Sequence, residues 1–312
     1  MKRKKRGMRP LEYDYEAAYQ NSIEMLDEYF LEQIAKQNRK GLYACKEIYS
    51  GGQLEIELYP EFFRKEDIPE AGRKKRNKKA QDNLNDKNAR KYLERLINAN
   101  FHTSDIWATL VYRSGQEPQS MEEAMRNMRN YIDRLNYRRR KMGLPNVKYI
   151  YVTEYDPHAK IRWHHHIIMD GLLDRDTVEK IWKHGERNQV RRLEYDKDGL
   201  SGMANYVTKA PKGKKRWASS KGLKKPIEKK VHNKPTAPKR YRKVGTFVHG
   251  MVKNRDSIEE TVKIWHPDYE YTRSEVYFND QFTNCKYICS EWKFGMVMDS
   301  ENVTRDEVEK VV

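Results

Sequence analysis

A chain of 312 residues has room for one or two cores, so length decides little. Composition decides more: 37% of residues are hydrophobic, 35% are charged, and 63 Lys or Arg stand against 46 Asp or Glu, a net charge of +17. That excess points to a polyanionic partner, of which nucleic acid is the usual one, the plain alternative being solubility. Three cysteines, Cys45, Cys285 and Cys289, are too few and too scattered for a disulfide framework, so reduced thiols and a cytoplasmic setting are expected. Cys285 and Cys289 have no second Cys or His pair to complete a zinc site. The basic start MKRKKRGMRP is followed by no apolar run, so secretion is not expected. No window approaches ~18 consecutive apolar residues, so no membrane span is expected.

Between residues 12 and 37, Tyr19, Ile23, Leu26, Phe30 and Ile34 recur at helical spacing and predict an amphipathic helix. Residues 42–49 and 54–59 read as two strands of a hairpin across Ser50, Gly51 and Gly52. The run RKKRNKK (73–79) is too charged to pack and leads into a helix with Ala89, Leu93, Leu96 and Ile97 on its apolar face. Residues 1–100 are thus expected to form an N-terminal extension, whose lysines either follow a phosphate backbone or make a solvated face.

Residues 105–112 (DIWATLVY) are β-branched and aromatic and predict the first strand of a second domain. A helix follows, with Met121, Ala124, Met125, Met128, Ile132 and Leu135 inward and its arginines mostly outward; Gly143 and Pro145 end it. Strands at 147–155 (VKYIYVTEY) and 161–170 (IRWHHHIIMD) flank the turn-like Asp156, Pro157, His158 and Ala159 and should pair antiparallel. Asp176 with Glu179 suits a capping box for a helix carrying Val178, Ile181 and Trp182 and ended by Gly185. A further strand is expected at 188–194 and a short helix at 201–209 (SGMANYVTK). The order β, α, β, β, α, β, α predicts an α+β fold over 101–210, an antiparallel β-sheet with flanking helices, to which the N-terminal and C-terminal extensions are added.

Residues 211–243 hold fourteen Lys or Arg against one acidic residue, Glu228, with Trp217 and Tyr241 interspersed. Such a run cannot bury a core by itself, so 211–245 is expected to be a basic arm that contacts DNA or else a passive linker. Lys212, Lys214, Lys215, Arg216, Lys224 and Lys225 would track phosphate, and Trp217 would stack on an unpaired base for about 1–3 kcal/mol. Gly213-Lys214-Lys215 lacks both the preceding glycine and the Ser or Thr of a phosphate-binding loop, so no ATPase is expected. The C-terminal region, 246–312, has strand-like runs at 275–278 and 286–294 and carries no recognisable chemistry.

The chemistry concentrates in 161–171, IRWHHHIIMDG. On a strand, His164 and His166 project from one face and His165 from the other, so two imidazoles can share one divalent cation. Hairpin pairing would bring the Glu154 carboxylate beside them. His158, in the turn, is a weaker candidate. On the later helix Tyr206 and Lys209 are three apart and share a face. Tyrosine has an unperturbed pKa near ~10 and needs a nearby positive charge to become a good nucleophile, which Lys209 could supply. Tyr195 is a rival nucleophile but lacks a lysine at helical spacing. A cation held by Glu154, His164 and His166 would act as a Lewis acid on a phosphodiester.

Two histidines about a middle residue, an upstream glutamate and a downstream Tyr-x-x-Lys resemble the HUH endonuclease superfamily. Within it they resemble the rolling-circle replication initiator (Rep) proteins of plasmids and single-stranded DNA phages, over about 105–209. His165 stands where that family usually has a bulky hydrophobic residue. The resemblance implies the HUH/Rep nuclease fold, the single-tyrosine type, and Mn or Mg as the metal. It also implies attack by Tyr206 to leave a 5'-phosphotyrosyl enzyme and a free 3'-hydroxyl that can prime a polymerase. The expected partners are single-stranded DNA at a replication origin and, with no helicase segment in the chain, a host helicase and polymerase. A transposase or mobilisation relaxase would use the same chemistry. A non-catalytic nucleic-acid-binding protein with structural or zinc-holding histidines is the alternative from another class.

Overall fold

The computed structural model describes residues 9–30, 32, 42–70, 78–185, 188–194, 200, 217–232, 244–254, 256–279 and 286–294. In chain order, the described residues form α1 (Tyr15–Ala18), β1 (Asn21–Ser22), β2 (Leu42–Ser50), β3 (Gln53–Glu61), α2 (Lys78–Asn98), β4 (Ile106–Val111) and α3 (Met121–Lys141). They continue as β5 (Tyr149–Asp156), β6 (Ile161–Met169), α4 (Arg175–Ile181), β7 (Gln189–Arg192), β8 (Ala218–Ser219), β9 (Ile227–His232), α5 (Val244–Lys253), α6 (Asp256–Trp265), β10 (Tyr269–Phe278) and β11 (Lys286–Phe294). The chain divides into two compact units, one from 1–77 with 227–303 and the other from 78–226 with 304–312. The boundaries drawn from composition at 100, 210 and 245 differ from these, because strands far apart in sequence close one sheet.

That sheet has six strands in the order β1-β10-β11-β3-β2-β9. The expected hairpin is present as β2 and β3, paired from Leu42↔Glu61 to Ser50↔Gln53, and the two C-terminal strand-like runs are β10 and β11. On one face Cys45, Leu54, Ile56 and Leu58 pack against Val248 and Met251 of α5 and Ile258, Val262 and Trp265 of α6. Within this unit buried Glu47 accepts a hydrogen bond from the Tyr49 hydroxyl (2.7 Å) and lies 3.0 Å from His266 Nε2.

The helix expected over 12–37 is not formed. Asp14 caps only the single turn of α1, accepting from the Ala17 N–H, and Tyr19 is extended (φ −123°). The reason lies in packing: Tyr19 is buried with Ala18, Ala44 and Tyr59, whereas Ile23 is buried with Cys45 and Leu54. Ala44 and Cys45 are consecutive on a strand and face opposite sides, so the apparent helical stripe is two separate anchors. Residues 31 and 33–37 lie outside the described residues.

The second unit holds a five-stranded antiparallel sheet in the order β7-β4-β6-β5-β8, so β6 is central. Expected strands and helices from β4 through β7 are all present. Ile106, Ala108 and Leu110 of β4, with Ile167 and Met169 of β6, pack against Met128, Tyr131, Ile132 and Leu135 of α3 and Val178 of α4. Trp107, Ile150, Val152 and Ile168 face the other way and pack against Leu93, Leu96 and Ile97 of α2. Ser120 caps α3 by accepting from the Glu123 N–H, and Gly143, with φ +71°, takes the left-handed conformation that stops it.

Two local expectations are corrected. The cap of α4 is Asp174, accepting from the Thr177 N–H at 2.8 Å, so the helix begins before Asp176. The helix ends at Ile181, ahead of Gly185, because Trp182 turns extended (ψ 112°) and donates its indole N–H to the Val111 carbonyl at 2.7 Å. Part of the expected basic arm is also in sheets. β8 pairs with β5 at Tyr151↔Ala218, and β9 pairs with β2 along Ala44↔His232 to Tyr49↔Ile227. Ordinary ladder bonding to an existing strand gives this polar run the order it could not reach alone.

Candidate metal centre

Cross-strand register assembles the centre. On β6, His164 is opposite Glu154 of β5 and Val111 of β4, and His166 is opposite Val152 and Thr109. The pleat sends Glu154, His164 and His166 to the face that α2 covers farther along, and His165 to the face of α3. One Glu154 oxygen lies 3.2 Å from His164 Nε2 and 3.9 Å from His166 Nε2, and the two Nε2 atoms are 3.1 Å apart. One ligand atom from each residue falls within 4.8 Å of the others, all three being partly buried.

These spacings suit a divalent cation. With metal–ligand bonds of about 2.1 Å, neighbouring ligand atoms are about 3.0 Å apart in an octahedron and about 3.4 Å apart in a tetrahedron. Two imidazoles and one carboxylate on one side of an ion leave its remaining positions open. The outer partners fit as well. His164 Nδ1 is 2.8 Å from the Arg162 carbonyl, which can only accept, so Nδ1 carries a proton and the neutral ring presents a lone pair at Nε2. His166 Nδ1 is 3.1 Å from the Thr109 hydroxyl, and its ring stacks on Trp107 at 5.1 Å between centroids. Burial pulls the His164 pKa down, but the Glu154 carboxylate and the Arg162 carbonyl outweigh it and leave the pKa raised.

His165 is wholly buried, with Nε2 2.8 Å from the Tyr112 hydroxyl and Nδ1 2.8 Å from that of Thr153. Burial first, then the neighbouring His164, His166 and His184, push its pKa down to about 3, so it is a neutral core group. Its two hydroxyl partners sit on the strands either side of β6 and tie them together behind the metal-ligand row. The end of β6 is held by Asp170, whose carboxylate takes two bonds from buried Arg139 of α3, one at 3.0 Å, and one from the Lys148 N–H at 2.6 Å. Arg162, two residues before His164, pairs with Glu117 of the β4–α3 connection.

Of the remaining residues singled out in the sequence, Tyr206, Lys209, Tyr195, Lys212, Lys214, Lys215 and Arg216 lie outside the described residues. His158 is exposed in the turn, where its N–H donates to Asp156. Trp217 is half-buried against the cluster of Leu93, Trp107 and Val152. The Lys224 and Lys225 side chains are exposed, and the backbone of Lys224 is held in both directions by the Asn100 side chain (2.7 and 2.8 Å). Sequence reasoning misses Thr109 and Trp107, although one signal is available: Thr109 is the lone polar residue of IWATLV.

Residues 105–211 match a family model described as replication-associated protein, of the ORF2 and gene-two-protein type. No curated protein and no solved structure shows a significant match to the chain. Among the described residues no helix is long and apolar enough to cross a membrane. Over residues 105–211, which carry Glu154, His164 and His166, the protein is similar to the replication-associated proteins of that family.

Proposed function

We propose that the protein is a rolling-circle replication initiator that nicks and rejoins single-stranded origin DNA through a covalent tyrosyl intermediate. The observation that carries this reading is the convergence of Glu154, His164 and His166 inside the span that matches a replication-associated family. The ion they would hold supplies Lewis-acid polarisation of the scissile phosphate. Two imidazoles with a carboxylate suit Mn, Zn, Ni or Co by ligand type, and the family resemblance favours Mn or Mg.

In this reading Tyr206 is the nucleophile. Its oxygen bonds to phosphorus, the 3' oxygen leaves as a free hydroxyl, and the phosphotyrosyl bond keeps the energy needed for rejoining. Lys209 lowers the cost of forming the phenolate or steadies the phosphate. Support comes from the flanking residues. Leu200, whose N–H donates to Asn98 at 3.0 Å, and Trp217 both pack in the cluster on the same sheet face as the metal ligands. A stretch tied to that face at both ends therefore supplies the tyrosine. Exposed Lys224 and Lys225 follow directly and add positive charge for the strand.

The test is to incubate the full chain with single-stranded oligonucleotides of the candidate origin and Mn, then run a denaturing gel. A protein–DNA adduct that disappears in Tyr206→Phe and in His164→Ala is expected. Binding without any adduct on every origin segment would leave a non-catalytic nucleic-acid-binding protein. Loss of single-stranded circles from a plasmid carrying Tyr206→Phe separates replication from transposition or mobilisation.

A further inference from the structure

The nuclease unit has a second row of chemistry on the metal face that neither the family match nor the ligand set accounts for. β7 is an edge strand, paired with β4 only, and its register is fixed at both ends. At the start, Asn188 Oδ1 accepts from the Val111 N–H at 3.2 Å; at the end, the Leu193 N–H donates to the Asp105 carbonyl at 2.9 Å. Gln189 is therefore opposite Thr109, and Arg191 is opposite Trp107.

Alternation then separates structural from available side chains. Val190 packs at the margin of the α3-side core, and Arg192 donates to the Ser104 and Gly171 carbonyls at 2.5 and 3.2 Å. Gln189 and Arg191 point the other way, to the face of Thr109, Trp107 and His166, and both are exposed. The unit's other arginines with defined bonds serve the fold: Arg139 holds Asp170, Arg162 holds Glu117, and Arg134 donates to the Ile181 carbonyl. Neighbouring strands are about 4.8 Å apart, so β7 lies about 10 Å across the face from the β6 histidines. A polynucleotide whose phosphate sits at the metal centre has its next phosphates within reach of a side chain at that distance.

We propose that Gln189 and Arg191 form the strand-holding edge of the site, with Arg191 gripping a backbone phosphate beside the scissile one and Gln189 hydrogen-bonding the same single strand. This assignment rests on the nuclease reading. The guanidinium fork matches phosphate geometry, and a fixed edge strand delivers it without the entropy loss of a long mobile loop. A grip at this point sets which phosphate of the strand lies over the metal ligands.

The test uses the full chain, Mn and a fluorescein-labelled single-stranded oligothymidylate, with affinity read by anisotropy across a salt series. Arg191→Ala should weaken binding by about tenfold and flatten the slope of log affinity against log salt by about 0.7, the contribution of one phosphate contact on a single strand. Gln189→Ala should weaken binding and leave the slope unchanged. Arg138→Ala removes the same charge from the exposed side of α3, behind the sheet, and should change neither quantity. Mn affinity should stay at the wild-type value in all three variants. Wild-type affinity and slope in Arg191→Ala, or an equal effect of Arg138→Ala, would overturn the assignment. Adduct formation with origin oligonucleotides, scored separately on the wild type, reports the nuclease reading: an adduct alongside an unaltered Arg191→Ala rejects the edge and keeps the nuclease.

Discussion

Thr109 faces His166 across the β4–β6 ladder with its hydroxyl 3.1 Å from the imidazole Nδ1. The ring's other nitrogen is the one turned toward Glu154 and His164. Replacing Thr109 with Val keeps the shape of the side chain and removes the oxygen, freeing the ring to choose the wrong tautomer. Mn affinity measured by calorimetry should fall about tenfold or more, the range for lost outer partners of metal ligands, with the far-ultraviolet spectrum unchanged.

The metal-free protein should show an opposed pair of histidine titrations. His164 has a raised pKa, so its contribution to stability is fully present below about 6.5 and is lost as pH rises through the folded value. Glu154→Gln removes the main raising influence, and the His164 resonance followed by NMR should titrate at lower pH than in the wild type. The same proton competes with the metal, so Mn affinity of the wild type should decline as pH falls through the raised value.

His165 has the opposite sign. Its folded pKa is pushed down to about 3 by burial, so the unfolded chain takes up a proton that the folded chain refuses. Stability from this group is present above about 6.5 and drains away as pH falls toward the folded value. Tyr112→Phe leaves His165 Nε2 without its hydroxyl partner and should cost about 1–3 kcal/mol in urea unfolding at neutral pH.

Asp170→Asn should be among the most damaging single changes outside the metal ligands. It leaves Arg139, which is wholly buried, facing an amide in place of a carboxylate. Breaking a buried pair from one side costs about 3–5 kcal/mol, measurable as a lower denaturation midpoint.

Gly171→Ala tests backbone approach. A Cβ there would fall 2.0 Å from the Ser104 carbonyl oxygen and 2.4 Å from Arg192 Nη1. The carbonyl is backbone and cannot swing aside, so the turn must shift, at an expected cost of at least about 2 kcal/mol in thermal unfolding.

Much of the centre was legible in the sequence because two simple periodicities suffice for it. Alternation along IRWHHHIIM put His164 and His166 together, and a short turn put Glu154 on the neighbouring strand; the structure adds the register that makes the pairing Glu154↔His164. Thr109 was not legible as a partner, since its relation to His166 depends on which strand lies beside β6. The same limit explains the N-terminal stretch. Tyr19 and Ile23 have helical spacing, yet each answers to a different face of a sheet whose strands come from distant parts of the chain. Charge in 217–232 likewise masked two short strands, because their order derives from partners such as Tyr151 and Cys45, not from their own apolar content.

The six-stranded sheet also sets an order of events during synthesis. β2 and β3 leave the ribosome early, but β3 waits for β11 and β2 for β9, more than two hundred and about one hundred and eighty residues later. The sheet carrying the histidines is complete in sequence before β9, β10 or β11 has been made, so it can close first. The nascent hairpin is thus left with both edges open while its neighbour is already folded.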